Sequence, residues 1–214
     1  RLPILWAAGF ATFVLLMRGG FAGLELVTSE QWGGLSLTIF IFSGVFVIGM
    51  PLAVLFALAR RSSLPFIAKS FGFFIDFVRS LPLLTLLFAA AVVVPLLVPD
   101  WLQGNKLMRV VIAFAIFFAA YQAEIIRAGL QSTSQGQEEA AVALGMPYWS
   151  LVIDILLPQA FRNTLPSTIN QAVITFKETS IVTIIGFFEV MASGNAAIGT
   201  GEWGNQYVEV NVFL

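Results

Sequence analysis

Lys177, Glu178, Thr179 and Ser180 interrupt an apolar stretch that otherwise runs from Leu165 to Val190. Ionisable groups inside a membrane span are costly and usually face a cavity or a partner. A zwitterionic solute carries a carboxylate and an ammonium, so adjacent lysine and glutamate offer both complementary charges, and the two hydroxyls add neutral hydrogen bonds. Asn170 stands seven residues before Lys177 and shares its helical face. The same residues equally suit a mutual ion pair, or a bend near the outer interface that never meets a solute. Glu124 and Arg127 lie at i, i+3 and can simply pair, or Arg79 can take Glu124 instead. Thr38 can line a path through the span or bond back to its own backbone.

The absences are as informative. The chain has no His and no Cys, which removes the commonest general base, the commonest metal ligand and all thiolate chemistry. No metal site is assigned. An intramembrane enzyme built from this sequence would need a carboxylate pair or a Ser-Lys dyad, for which Lys177 and Ser180 are the nearest candidates. No catalytic residue is assigned. No Gly-rich loop ends in Lys-Ser or Lys-Thr, so ATP, if used, is bound by another chain. The net charge of -1 offers no basic field for nucleic acid.

The elements that must position these residues are membrane helices. Of 214 residues 58% are hydrophobic and 11% charged, with a mean hydropathy of +0.91; a soluble domain is about a quarter charged. Crossing hydrocarbon takes roughly 20 apolar residues. Leu35–Ala59 is uncharged and ends at Arg60-Arg61, and Leu81–Val98 and Val110–Ala123 are strongly apolar. Leu2–Met17 is marginal, and reads as one more span or the tail of a longer chain rather than a secretion signal. Leu64–Val78, with Lys69 and Asp76, suits a helix lying at the interface. A last apolar run begins near Trp203 and is cut off at Leu214. Arg60, Arg61 and Lys69 place the loop after the second span in the cytoplasm, and the stretch from Gln131 to Pro158 returns there. Gly19, Gly23, Gly44 and Gly49 are expected to let helices pack closely.

The polar stretch holds a short helix, Gln135–Leu144. Ser134 and Gln137 have capping-box spacing, and Glu138 and Glu139 fall in the first turn, where the helix dipole favours them. Gly145 is placed for a left-handed cap, and Pro147 forbids continuation. Ala140, Ala141 and Ala143 would give a smooth surface able to enter a groove on another protein. A loop helix resting on its own membrane domain fits the pattern equally well.

The run Glu139-Ala140-Ala141-x-x-x-Gly145, nine residues, then Ile155-x-Leu157-Pro158 resembles the signature loop of permease subunits of bacterial ABC importers. The resemblance extends from about Gly34 to Val190. Gly34-x-x-x-Thr38, Arg79-x-x-Pro82-Leu83-Leu84, Ala120-Tyr121-x-x-Glu124-x-x-Arg127 and Gly136-Gln137-x-Glu139 are similar to the polar amino-acid branch of that family. So are Leu157-Pro158-Gln159-Ala160-x-Arg162, Pro166-x-x-x-Asn170-Gln171, Lys177-x-Thr179-Ser180 and Ile185-Gly186-x-x-Glu189. That branch holds the histidine, glutamine and arginine permeases. The extra helix before Gly34 resembles the longer permease of general L-amino-acid importers.

The resemblance implies an all-α transmembrane bundle in the bacterial inner membrane. Residues 1–33 would be an additional helix and periplasmic loop, and 34–214 the permease domain with a coupling loop at 131–158. Gln137, Glu139, Ala140, Ala141, Gly145 and Pro158 would form the contact with an ATPase. Thr38, Arg79, Glu124, Asn170, Lys177, Glu178, Thr179 and Ser180 are the candidate substrate path. The implied partners are a second permease subunit, expected as a heterodimer, two ATP-binding subunits and a periplasmic amino-acid-binding protein. ATP and magnesium would sit on the ATPase subunits, leaving this chain without a cofactor. Ser80-Leu81 replaces the usual Gly-Thr, and Glu178 and Ile181 replace Asp and Leu; the first departure bears on the pore lining and so on substrate choice. The alternative is an ion-coupled carrier or channel for small polar solutes, which would be expected to carry inverted repeats; the sequence has no internal repeat.

Overall fold

The computed structural model describes residues 2–20 and 22–200, and its regular structure there is helical apart from one isolated bridge between Gly34 and Glu189. The apolar run expected from Trp203 lies outside the described residues. Helix α1 (Leu2–Arg18) has 17 residues and leads into a turn in which Gly19 and Gly23 have positive φ. Those two glycines therefore serve the turn, not helix packing. Helix α2 (Gly34–Arg60) has 27 residues, about 40 Å at 1.5 Å per residue, enough to cross a hydrocarbon core of about 30 Å with tilt. Helix α3 (Pro65–Ser80) follows, started by Pro65 at its first turn and stopped before Pro82.

Helix α4 (Leu83–Leu97) contains a π-helical turn over Ala89–Val93. Helix α5 (Lys106–Gln131) has 26 residues and is the second long apolar span. A short helix α6 (Gln135–Ala143) sits in the polar stretch. Helix α7 (Leu157–Glu178) ends where Lys177 and Glu178 interrupt the apolar run, and Thr179–Ile185 continues as a 3₁₀ turn closed by Gly186 at φ +91°. The Leu165–Val190 run is thus not one span: helical backbone already precedes it, with α7 following directly on a π-helical turn over Leu151–Leu156, and α7 stops at the charges. Helix α8 (Val190–Ile198) completes the described chain.

The chain divides into two compact units, Arg1–Val47 with Leu83–Phe114 and Thr175–Leu214, and Ile48–Pro82 with Ala115–Ile174. Lipid tails are as apolar as leucine, so helices associate here through close packing and hydrogen bonds rather than escape from water. In the first unit Leu37, Ile41 and Val45 of α2 and Val110 and Phe114 of α5 are fully buried. Gly44 allows the contact, since a Cβ there would lie 3.0 Å from Val111 Cγ1. Phe40 is buried, edge-on to Trp32 at 4.9 Å between ring centroids.

Two polar knots hold this unit. The π turn of α4 leaves carbonyls without helical donors, and the Arg109 guanidinium supplies them: it donates to Ala90 O at 3.0 Å and Ala91 O at 3.3 Å, and to Gln103 O at 2.7 Å. In the second knot Glu189 is fully buried and accepts from the Ala192 amide at 2.9 Å, capping α8, and from the Thr183 hydroxyl at 3.1 Å. The Val190 amide donates to Thr38 Oγ1 at 3.1 Å and the Gly34 amide to Phe188 O at 2.8 Å. Lys106 Nζ donates to Ile185 O at 2.6 Å.

In the second unit Phe56 of α2 packs on Phe71 and Phe74 of α3, and α5 buries Phe118, Ala119, Ala120, Ala123, Ile126 and Leu130. Helices α5 and α7 meet backbone to backbone at Gly129, where a Cβ would come within 2.7 Å of Ala160 O. Helix α3 buries Gly72, Ile75 and Val78 and exposes Phe66, Lys69, Phe73 and Phe77. That division is the one expected of a helix lying at an interface.

Candidate functional site

All of helix α6 and its supports lie in the second unit. Its C-terminus is a full Schellman motif: the Met146 amide donates to Ala141 O at 3.0 Å, and the Gly145 amide to Val142 O at 2.9 Å. Gly145 sits at φ +69° with nothing within 4 Å of where a Cβ would stand, so glycine is needed there for its backbone alone. Pro147 follows in extended conformation.

The N-terminus differs from expectation. Ser134 occupies the cap position, but its hydroxyl makes no capping bond; only its carbonyl accepts from the Gln137 amide, at 3.1 Å. The Gln137 side chain does not reach back. Its oxygen accepts from Gln159 Nε2, which also donates to Ile155 O at 3.1 Å. A tertiary tether from α7 has displaced the local capping box. Two further ties converge on the same region: Arg61, just after α2, pairs with Glu138, and Asn163 Nδ2 donates to Ser132 Oγ at 3.0 Å. The Arg61–Glu138 pair is about one-third exposed at each end (36% and 34%), which limits it to about 1 kcal/mol or less.

The outer surface is also not the one expected. Ala141 is buried at 3% exposure, whereas Glu139, Ala140, Val142, Ala143 and Leu144 are exposed, Leu144 at 83%. The presented face is therefore a carboxylate, two alanines and two larger aliphatic side chains. Pro158 is exposed at the start of α7. Tyr148 and Trp149 extend the apolar surface just past the helix, their rings edge to face at 5.4 Å. An exposed apolar face on a helix whose inner face is tied down suits insertion into a groove of a second protein.

The second unit also holds an ion network. Glu124 accepts from Arg127 at 2.9 and 2.8 Å, and Arg60 approaches its other oxygen at 3.1 Å. Arg60 makes a bidentate fork to Asp76 at 2.8 and 3.0 Å. That guanidinium bond holds the Asp76 carboxyl below the ordinary carboxylate range. Arg79 leaves Glu124 to Arg127 and Arg60: it lies 3.9 Å from Asp76 and over the Tyr121 ring at 5.2 Å, while the Tyr121 hydroxyl donates to Arg79 O at 3.1 Å.

The remaining path candidates spread out. Asn170 and Lys177 are both exposed on α7, and Glu178 is half-buried. No ion pair joins Lys177 to Glu178 among the described residues. Thr179 donates to Phe176 O and Ser180 to Lys177 O, each at 2.7 Å, so both hydroxyls finish the helix end. Thr38 donates to Gly34 O at 3.2 Å and is buried under the Val190 amide. Sequence reasoning did not single out Arg109 or Arg61 as structural pivots; a π turn and a tertiary tether leave no local pattern to read.

Residues 49–203 match the family model described as "Binding-protein-dependent transport system inner membrane component". The chain is 39% identical over 209 residues to the inner membrane amino-acid ABC transporter permease protein YhdY of Escherichia coli (strain K12), covering 97% of this chain and 57% of that protein. It is 35% identical to the glutamate/glutamine/aspartate/asparagine transport system permease protein BztC of Rhodobacter capsulatus, over 89% of this chain and 44% of that one. The chain thus spans about half the length of these relatives. A solved structure described as an amino acid ABC transporter with histidines superposes with a TM-score of 0.69 at 29% identity, covering 84% of this chain and 83% of its own.

Proposed function

The chain belongs to the family of inner-membrane components of binding-protein-dependent transport systems, and from that premise we propose that it is a permease subunit of an importer of L-amino acids driven by ATP hydrolysis on separate subunits. The observation that carries this reading is α6: a helix outside the lipid spans, tied to the ends of α2 and α7, with a presented face that nothing in its own unit covers. Glu139, Ala140, Val142, Ala143 and Leu144 would enter a cleft on an ATPase subunit, with the exposed Pro158 at the edge of that contact, Gly145 ending the helix, and Gln137 and Ala141 fixing it from behind. Closure of the ATPase pair would pull on α6, and the ties at Arg61, Gln159 and Asn163 would pass that motion into α2 and α7. ATP and magnesium would reside on those partners.

The full assembly in this proposal adds a second, non-identical permease subunit and a periplasmic amino-acid-binding protein. The amino-acid substrate is supported by the relatives' activities. Lys177, Glu178 and Asn170 are the side chains here with charge or amide groups free to meet a zwitterion, whereas the hydroxyls of Thr38, Thr179 and Ser180 are spent on backbone. Arg79 and Glu124 would act by holding the second unit together.

The test is reconstitution of the assembly in vesicles with its binding protein. Amino-acid uptake should require ATP on the ATPase side and survive collapse of the proton gradient, and the isolated chain should hydrolyse no ATP. Uptake that persists without ATP and stops with the gradient would establish the ion-coupled alternative.

A further inference from the structure

A cavity of about 280 Å³ lies at the C-terminal ends of α2 and α5, lined by Arg60, Arg61, Arg127 and Gln131. Its lining is three guanidinium groups and one carboxamide, with no carboxylate. The neighbouring acids use only part of what these arginines offer. Arg60 gives its two terminal nitrogens to Asp76, Arg127 gives Nε and one terminal nitrogen to Glu124, and Arg61 gives one terminal nitrogen to Glu138. Among the described residues that leaves Arg60 Nε, Arg61 Nε and Nη1, and Arg127 Nη1 with no hydrogen-bond acceptor. Charge is also unbalanced. Four arginines (60, 61, 79 and 127) face three carboxylates (76, 124 and 138) in this cluster, one positive charge in excess.

Depth identifies the ligand. Arg60 is the last residue of a 27-residue span, and it packs on α3, where a Cβ at Gly72 would lie 3.9 Å from its Nε. Helix α3 turns Phe66 (83% exposed) and Phe73 (74% exposed) outward beside Lys69, the composition of a helix in the headgroup layer. Through Arg60, which both lines the cavity and packs on that helix, the cavity is set at the depth of lipid phosphates. We propose that this cavity binds the phosphate of an anionic phospholipid headgroup, whose single negative charge matches the excess and whose oxygens suit the unused guanidinium donors. Because Arg61 also holds Glu138 in the first turn of α6, an occupied site draws on the arginine that tethers that helix. The site itself stands on the cavity and its arginines, whether or not α6 docks on a motor.

The experiment uses the intact assembly in nanodiscs of phosphatidylcholine with increasing phosphatidylglycerol, followed by detergent release and native mass spectrometry of retained lipid. The wild type should retain phosphatidylglycerol in preference to phosphatidylcholine. Arg61→Gln should weaken that retention roughly fivefold, the effect of about one basic residue near an anionic lipid. Gln131→Glu, which keeps every arginine but places a carboxylate in the cavity, should abolish the preference. Equal retention of the two lipids by the wild type, or full preference in Gln131→Glu, overturns the proposal. Millimolar inorganic phosphate should not displace the lipid; displacement, or phosphate binding without lipid preference, would assign the cavity to a soluble phosphate and overturn the lipid assignment. Cross-linking of the cavity's arginines to an acidic side chain of an ATPase subunit, with no lipid retained, would also overturn it.

Discussion

Replacing Gly145 by valine is expected to cut ATP-driven uptake at least fivefold while the assembled transporter continues to hydrolyse ATP. Gly145 holds φ +69°, a conformation that costs an L-residue about 1–2 kcal/mol, and a β-branched one more. Nothing lies within 4 Å of where a Cβ would stand, so the cost arises chiefly in the backbone. The energy matters because α6 has only nine residues, and helices that short are marginal on their own. A strain of 1–2 kcal/mol shifts its folded population by roughly 5–30-fold. The Schellman bonds from Gly145 and Met146 would be lost, and the face that meets the motor would lose its shape. Gly145→Asn, which tolerates the left-handed region, should retain most uptake. Parallel measurements of uptake and ATP hydrolysis in vesicles check both, and equal coupling in the valine variant and the wild type would remove the basis for a rigid α6.

The second large effect is on stability. Gly129→Ala places a methyl group 2.7 Å from both Ala160 O and Thr164 Cγ2. Neither neighbour is the end of a flexible side chain, so α5 and α7 must part. Overpacking of this kind costs about 1–3 kcal/mol, and in lipid no hydrophobic gain offsets lost helix contact. The melting temperature of the purified assembly should fall, together with its yield. Gly136→Ala is the control: its nearest neighbour would be Ser134 Oγ at 3.7 Å, and alanine favours the helix by about 0.5–1 kcal/mol. Gly136→Ala should melt at or above the wild-type temperature. A Gly129→Ala assembly that melts with the wild type would mean that α5 and α7 are not in contact as described.

How much of this was legible before the structure depends on whether the cause was local. The uncharged run ending at Arg60-Arg61 located α2, and Gly145 followed by Pro147 located the end of α6, because helix lengths and stop signals act within a few residues. The break at Lys177 and Glu178 was visible for the same reason. Ser134 and Gln137 carried the spacing of a capping box, but Gln159, twenty-two residues from Gln137 in sequence, claims the glutamine side chain. Tertiary contacts of that range leave no spacing rule. The inward turn of Ala141 was hidden because alanines at 140, 141 and 143 give no hydrophobic contrast to mark a face. Arg109 stands in no motif of the sequence, yet it supplies donors to Ala90 O and Ala91 O in a π turn, where Pro95 has no amide to offer.

The most direct measurement exploits the lack of cysteine in this chain. Ala143→Cys places a unique thiol on the presented face of α6, and Ala141→Cys places one on its buried face. With a second cysteine engineered in the cleft of the ATPase subunit, the Ala143→Cys assembly should cross-link in high yield, with an efficiency that changes between nucleotide-free and ATP-bound states. The Ala141→Cys assembly should not. Absence of cross-linking from position 143 in every nucleotide state, or equal cross-linking from both positions, would contradict the transfer of work through α6.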